Sequence, residues 1–167
     1  MADHDGDAAP DGLLTRIGQV VMLHHAGDRE EARDRLLALW TEIGAQGAAL
    51  HRCTLAHYLA DTQDDPTDQL AWDLRALAAA EELSDDHEDA PAVRALSPSL
   101  HLDLAADYVR LGRPEVARGH LGRARRAAVG LPEDRYGDGV RARIRRLEQR
   151  LDDRDPGGDW GPRRRRP

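Results

Sequence analysis

A chain of 167 residues is long enough for one domain with a buried core. Its hydrophobic 40% is carried by Ala, Leu and Val, with three Trp, three Tyr and no Phe, a composition that argues against an all-β fold. The net charge is −7, and the single cysteine, Cys53, excludes an internal disulfide framework and any zinc site needing two thiolates of one chain.

Taken in chain order, the apolar residues recur at helical spacing. Asp11 is the expected cap of a first helix carrying Leu13, Leu14, Ile17, Val20, Val21 and Leu23, which stops near Ala26-Gly27. Asp28 and Glu31 form a capping-box pattern opening a second helix, whose buried stripe is Ala32, Leu36, Leu39 and Ile43. Gly44 and Gly47 end it. A third helix runs from about Ala48 to Asp61, with Leu55, Ala56 and Leu59 inward. Asp64-Asp65-Pro66 supplies a cap and an N1 proline for a fourth, carrying Leu70, Leu74, Leu77 and Ala78. Residues 84–97 are too acidic to pack and read as a loop. A fifth helix begins near Pro98-Ser99 with Leu100, Leu104, Ala105 and Tyr108, and Gly112 closes it. Pro114 opens the sixth, with Ala117, Leu121 and Ala124 inward. After a Leu131–Gly139 loop, the last helix sets Val140, Ile144, Leu147 and Leu151 against an arginine face, as a terminal capping helix requires. Residues 1–10 and 152–167 read as disordered tails.

Two of the turns align residue by residue. In His25–Ala32 and Arg110–Ala117, a glycine (Gly27, Gly112) precedes a small alanine (Ala32, Ala117) by five residues, and a leucine follows four later (Leu36, Leu121). This frame resembles the tetratricopeptide repeat (TPR), a helix–turn–helix unit of about 34 residues. The resemblance covers roughly residues 11–151, and the third unit fits it best, through Leu104, Ala105, Tyr108, Gly112, Ala117, Leu121 and Ala124. The middle unit departs from it: Gln63 stands for the turn glycine, Leu70 for the alanine, and its turn is about two residues longer. What the resemblance implies is an all-α fold, antiparallel helical hairpins stacked as a short right-handed superhelix of about seven helices. Three hairpins plus a capping helix would fill residues 11–151, with an insertion at 84–97.

The resemblance further implies a concave surface lined by the first helix of each pair, where a peptide or helical partner lies. Carried over, the first unit places Leu14, Ile17, Val21, His24 and His25 there. The second places Leu50, Cys53, Thr54, His57 and Asp61, and the third Ser99, Leu102, Asp103, Ala106 and Arg110. Ile17, Val21, Thr54 and Asp103 lack the donors of a chaperone-type carboxylate clamp, so a basic or amphipathic segment suits this half-apolar, half-acidic surface better.

Cys53, His57 and Asp61 share one helix face at spacings of four. The outer two lie about 12 Å apart, too far to share an ion. An adjacent pair such as Cys53 and His57 can bind zinc or copper if a second helix adds ligands. The plainer reading is a small buried thiol beside a hydrogen-bonded histidine. A thiol-dependent enzyme or small-molecule sensor on this face is the alternative to a non-catalytic scaffold that binds no cofactor. No phosphate-cradling loop or oxyanion motif accompanies Cys53.

Charge is unevenly spread: residues 61–90 hold eleven acids against Arg75 alone, and the stretch from Arg110 onward is strongly basic. These blocks read first as solvated helix faces; paired as opposite patches, they would form a homodimer. Arg163–Arg166 lack an aromatic platform beyond Trp160, so nucleic acid is not the expected partner. The acidic N-terminal segment lacks a signal peptide's basic start and apolar run, and no apolar stretch reaches the roughly 20 residues that span a bilayer. The expected setting is the cytoplasm of a bacterium whose GC-rich genome would explain the missing Lys, Asn and Phe.

Overall fold

A computed structural model describes residues 9–154. It is all-helical: α1 (Ala9–His25), α2 (Arg29–Ile43), α3 (Ala49–Asp61), α4 (Pro66–Glu81), α5 (Ala90–Arg110), α6 (Pro114–Ala128) and α7 (Arg135–Arg154). The expected tails, 1–10 and 152–167, lie outside the described residues except where α1 takes in 9–10 and α7 runs on to Arg154.

Local chemistry accounts for most boundaries. Asp65 caps α4 as expected, its carboxylate accepting from the backbone N–H of Thr67 at 2.7 Å, with Pro66 in the first turn. Gly27 and Gly112, the aligned glycines, both adopt positive φ (101° and 72°), which only glycine reaches without strain. Thr62 keeps right-handed geometry at the end of α3, so the turn there needs no glycine.

Several sequence expectations are corrected. The helix at the N-terminus starts at Ala9, which puts Asp11 inside its first turn and not at the cap. Asp28 makes no side-chain cap; Glu31 accepts instead from Arg35 one turn on, at 2.8 Å. Only residues 82–89 interrupt the helices where a loop was expected over 84–97; α5 begins at Ala90 and carries Pro98 in its interior. Tyr136 braces that proline-broken turn, donating its hydroxyl to the Ala95 carbonyl at 3.1 Å and lying 2.9 Å from the Ser99 hydroxyl. Its own helix, α7, starts at Arg135 within the expected loop.

Each helix packs on the next, forming hairpins α1–α2, α3–α4 and α5–α6 capped by α7. The backbones of α1 and α3, α3 and α5, and α5 and α7 also approach one another, while among the described residues those of α2 and α4, and of α4 and α6, do not; α2 meets α4 through the side chains of Trp40 and Trp72. The odd helices therefore form the shorter, concave layer of the stack and the even helices the outer one. The core has three parts. Ile17, Ala32, Leu36, Leu39, Leu55 and Leu59 fill the N-terminal end, and Val109, Ala117, Leu121, Val140, Ile144 and Leu147 the C-terminal end. Between them lies a smaller patch of Cys53, Ala56, Ala76, Ala79 and Leu100, closed by the edge-to-face pair Trp40–Trp72 at 5.1 Å. Arg29 ties the first hairpin to the second, donating to the Thr62 carbonyl at 3.2 Å.

His101 and His120 meet between α5 and α6, their Nδ1 atoms 3.2 Å apart. Burial first, then the neighbouring His120, Arg123 and Arg126, push His101 down to about 4. The unfolded chain thus binds this proton more readily than the folded one. The contribution is intact above the ordinary value of 6.5 and is lost as pH falls towards 4. On this basis wild type loses on the order of 1–2 kcal/mol between pH 7 and pH 5 through this pair. Urea unfolding at the two pH values should show a smaller loss for His101→Gln, and equal losses would contradict the assignment.

Candidate functional site

Counted from their caps, the three outer helices run in one frame. The backbone N–H of Ala32, Gln69 and Ala117 donates to the carbonyl of Asp28, Asp65 and Arg113 respectively. Four residues later the frame reads Leu36, Asp73 and Leu121. The turn before α4 is one residue longer than the other two, not two, so Gln69 and not Leu70 takes the alanine's place. This corrects the expected stripe of α4: Leu74 and Ala78 face solvent, Leu70 and Leu77 are half-buried, and Trp72, Asp73, Ala76 and Ala79 point inward. A carboxylate, 1% exposed, thus sits where the flanking hairpins bury leucine.

Around it the inner helices bring further polar groups. Asp107 of α5 is fully buried; one carboxylate oxygen accepts from Arg110 at 2.9 Å and the other has no partner. His57 Nδ1 of α3 stands 3.2 Å from Asp103 Oδ2 of α5, a charge contact without hydrogen-bond alignment. Arg143 of α7 donates to the other oxygen of Asp103 at 2.6 Å. Neither carboxylate oxygen of Asp73 has a hydrogen-bond donor. One ligand atom each from His57, Asp73 and Asp103 lies within 4.8 Å of the others.

The electrostatics follow from this arrangement. Burial, reinforced by Asp107, Asp103 and Asp61, holds the Asp73 carboxyl well above the usual carboxylate range. Burial likewise raises Asp107, against the pull of Asp73 and Arg110. Protonated, Asp73 can donate towards Asp107, so the two carboxyls share one proton. Burial opposes charge on His57 and Asp103 alike, yet their mutual attraction wins: His57 is raised and Asp103 lowered, Arg143 helping Asp103. Asp61 at the surface is raised by burial and by Asp103, and His57, His24 and Arg143 offset part of the rise. His24, Asp61, His57, Asp103 and Arg143 thereby make a row of interacting charges across all four inner helices.

The sequence candidates separate into wall, floor and core. Ile17, Cys53 and Leu102 are core residues, no more than 1% exposed, and Leu14 and Val21 are half-buried against the N-terminal cluster. His25 and Arg110 are exposed. Cys53, His57 and Asp61 do share one face, but that face leaves the core as α3 proceeds, so Cys53 is buried and Asp61 open. Cys53 is fully buried, and burial pushes its thiol up to about 12. Among the described residues Cys53 belongs to no group of three metal-type ligands. Asp73, Asp107 and Arg143 were missed as site residues; the cap-counted frame alone would have exposed Asp73.

No family model matches the chain, and neither the curated proteins nor the solved structures give a match.

A buried carboxyl whose one near partner is another carboxyl weakens the fold at a leucine position. Asp73→Leu should therefore stabilise the protein by about 1–3 kcal/mol. The urea midpoint at pH 7 checks this; an unchanged or lower midpoint would mean that Asp73 is solvated or that the proton shared with Asp107 offsets its burial.

Proposed function

We propose that the chain is a TPR-like, non-catalytic interaction module that holds a basic, amphipathic protein segment on its concave face. The single observation that carries the reading is the position of Asp61 and Asp103 on adjacent inner helices, within a charge row that runs from His24 to Arg143. Half-buried Val21 and Leu14 supply an apolar flank on α1, and Thr54 and Ala106 keep the inner wall low. A basic side chain of the partner would meet Asp61, an exposed residue at the end of α3, while its apolar face lies against the α1 flank. The shared frame of Ala32, Gln69 and Ala117 and the aligned Gly27 and Gly112 turns support the repeat reading. A cytoplasmic scaffold fits this account. Among the described residues no helix is long and apolar enough to cross a membrane.

Selection from a displayed library of amphipathic peptides, with Asp61→Arg as the counter-target, tests the reading. Arg- and Lys-bearing sequences should be enriched and should bind Asp61→Arg about tenfold more weakly. Recovery without a basic bias, or equal affinity for both proteins, would overturn it.

A further inference from the structure

Three helices each contribute one ligand-type side chain to the space under the concave face: His57 from α3, Asp73 from α4 and Asp103 from α5. Two features separate this group from an ordinary acidic surface. Asp73 is 1% exposed with both carboxylate oxygens lacking a donor, and the His57 Nδ1 nitrogen is buried with only the Asp103 carboxylate, 3.2 Å away, beside it. The second oxygen of Asp107 has no donor beyond the proton that Asp73 can share. Buried carboxylates are otherwise found paired or bound to a metal, and Arg110 and Arg143 are committed to Asp107 and Asp103.

We propose that this space is a divalent-cation site, with His57, Asp73 and Asp103 as its protein ligands and Asp107 as the carboxylate behind them. Two carboxylates balance a 2+ ion. An imidazole nitrogen with carboxylate oxygens suits a borderline ion of the zinc or manganese kind, and the lack of a thiolate disfavours copper(I). Metal–ligand bonds of about 2.0–2.2 Å need donors somewhat closer than 4.8 Å, so binding would draw the three side chains together. Magnesium, which keeps several waters, fits a dry space poorly. The ion would link the second and third hairpins through α3, α4 and α5, where the apolar core is built of small side chains. The proposal does not depend on which segment the groove holds.

The test uses the full, untagged chain stripped with chelator, titrated calorimetrically with Zn2+, Mn2+ and Mg2+, with native mass spectrometry for stoichiometry. One equivalent of Zn2+ or Mn2+ should bind, and Mg2+ should bind at least tenfold more weakly. The melting temperature should rise by roughly 5–10 °C at a free ion concentration 100-fold above Kd. Asp73→Leu and His57→Gln should each weaken binding about 100-fold and abolish the melting shift. Circular dichroism of each variant separates lost binding from lost folding. Binding that survives Asp73→Leu would place the ion elsewhere, for example on the His101–His120 pair, and would overturn the proposal. So would an absence of saturable binding in wild type.

Discussion

An ionisable carboxylate buried at a core position constrains the middle of this protein. Asp73 occupies the place where the flanking hairpins bury Leu36 and Leu121, and no donor reaches its oxygens. Its neighbours adapt to it. The central core is built of Ala56, Ala76, Ala79 and Cys53, small side chains that leave space for polar groups, and Trp40 of α2 and Trp72 of α4 close it. The large aliphatic residues lie at the two ends of the stack. The array is thus two apolar clusters joined by a polar waist.

The waist shapes the concave face. Because the backbones of successive inner helices lie close together, groups on α1, α3, α5 and α7 are close enough to influence one another. His57 and Asp103 form a half-buried pair, Arg143 covers Asp103 from α7, and Asp61 stands open at the edge. Surface pairs elsewhere, such as Arg16–Glu42 at 2.9 Å, tie helices together with little net energy. The buried groups differ in kind: they weaken the fold unless something of opposite charge joins them.

Much of the fold was legible in the residues. Helix periodicity located all seven helices, and the Gly27 and Gly112 turns aligned because a positive φ demands glycine. The failures share a cause. Leu70, Leu74 and Leu77 make a convincing stripe, yet one extra residue in the preceding turn rotates α4 and sends Leu74 outward. Hydrophobicity therefore named the wrong face, and the same rotation hid Asp73. Pro98 looked like a helix start, but tertiary support from Tyr136 lets α5 run through it. Of the site, His57 and Asp61 were visible by helical spacing, and Asp103 through the groove positions that the repeat resemblance implies. Arg143 was not, because its partner Asp103 lies on another helix and spacing along one helix carries no trace of it; Asp107 pairs with Arg110 on its own helix, and its place in the site comes from its approach to Asp73 of α4.

The central claim is that Asp73 is a buried carboxyl in the metal-free chain, and carboxyl 13C NMR of aspartate-labelled protein reads it most directly. With Asp73→Asn supplying the assignment, the Asp73 signal should show no ionisation near the ordinary value of 3.8 and should remain that of the protonated acid through pH 7. A titration midpoint at or below 3.8 would show that water or a cationic group reaches the carboxylate, and the account of the polar waist would fail.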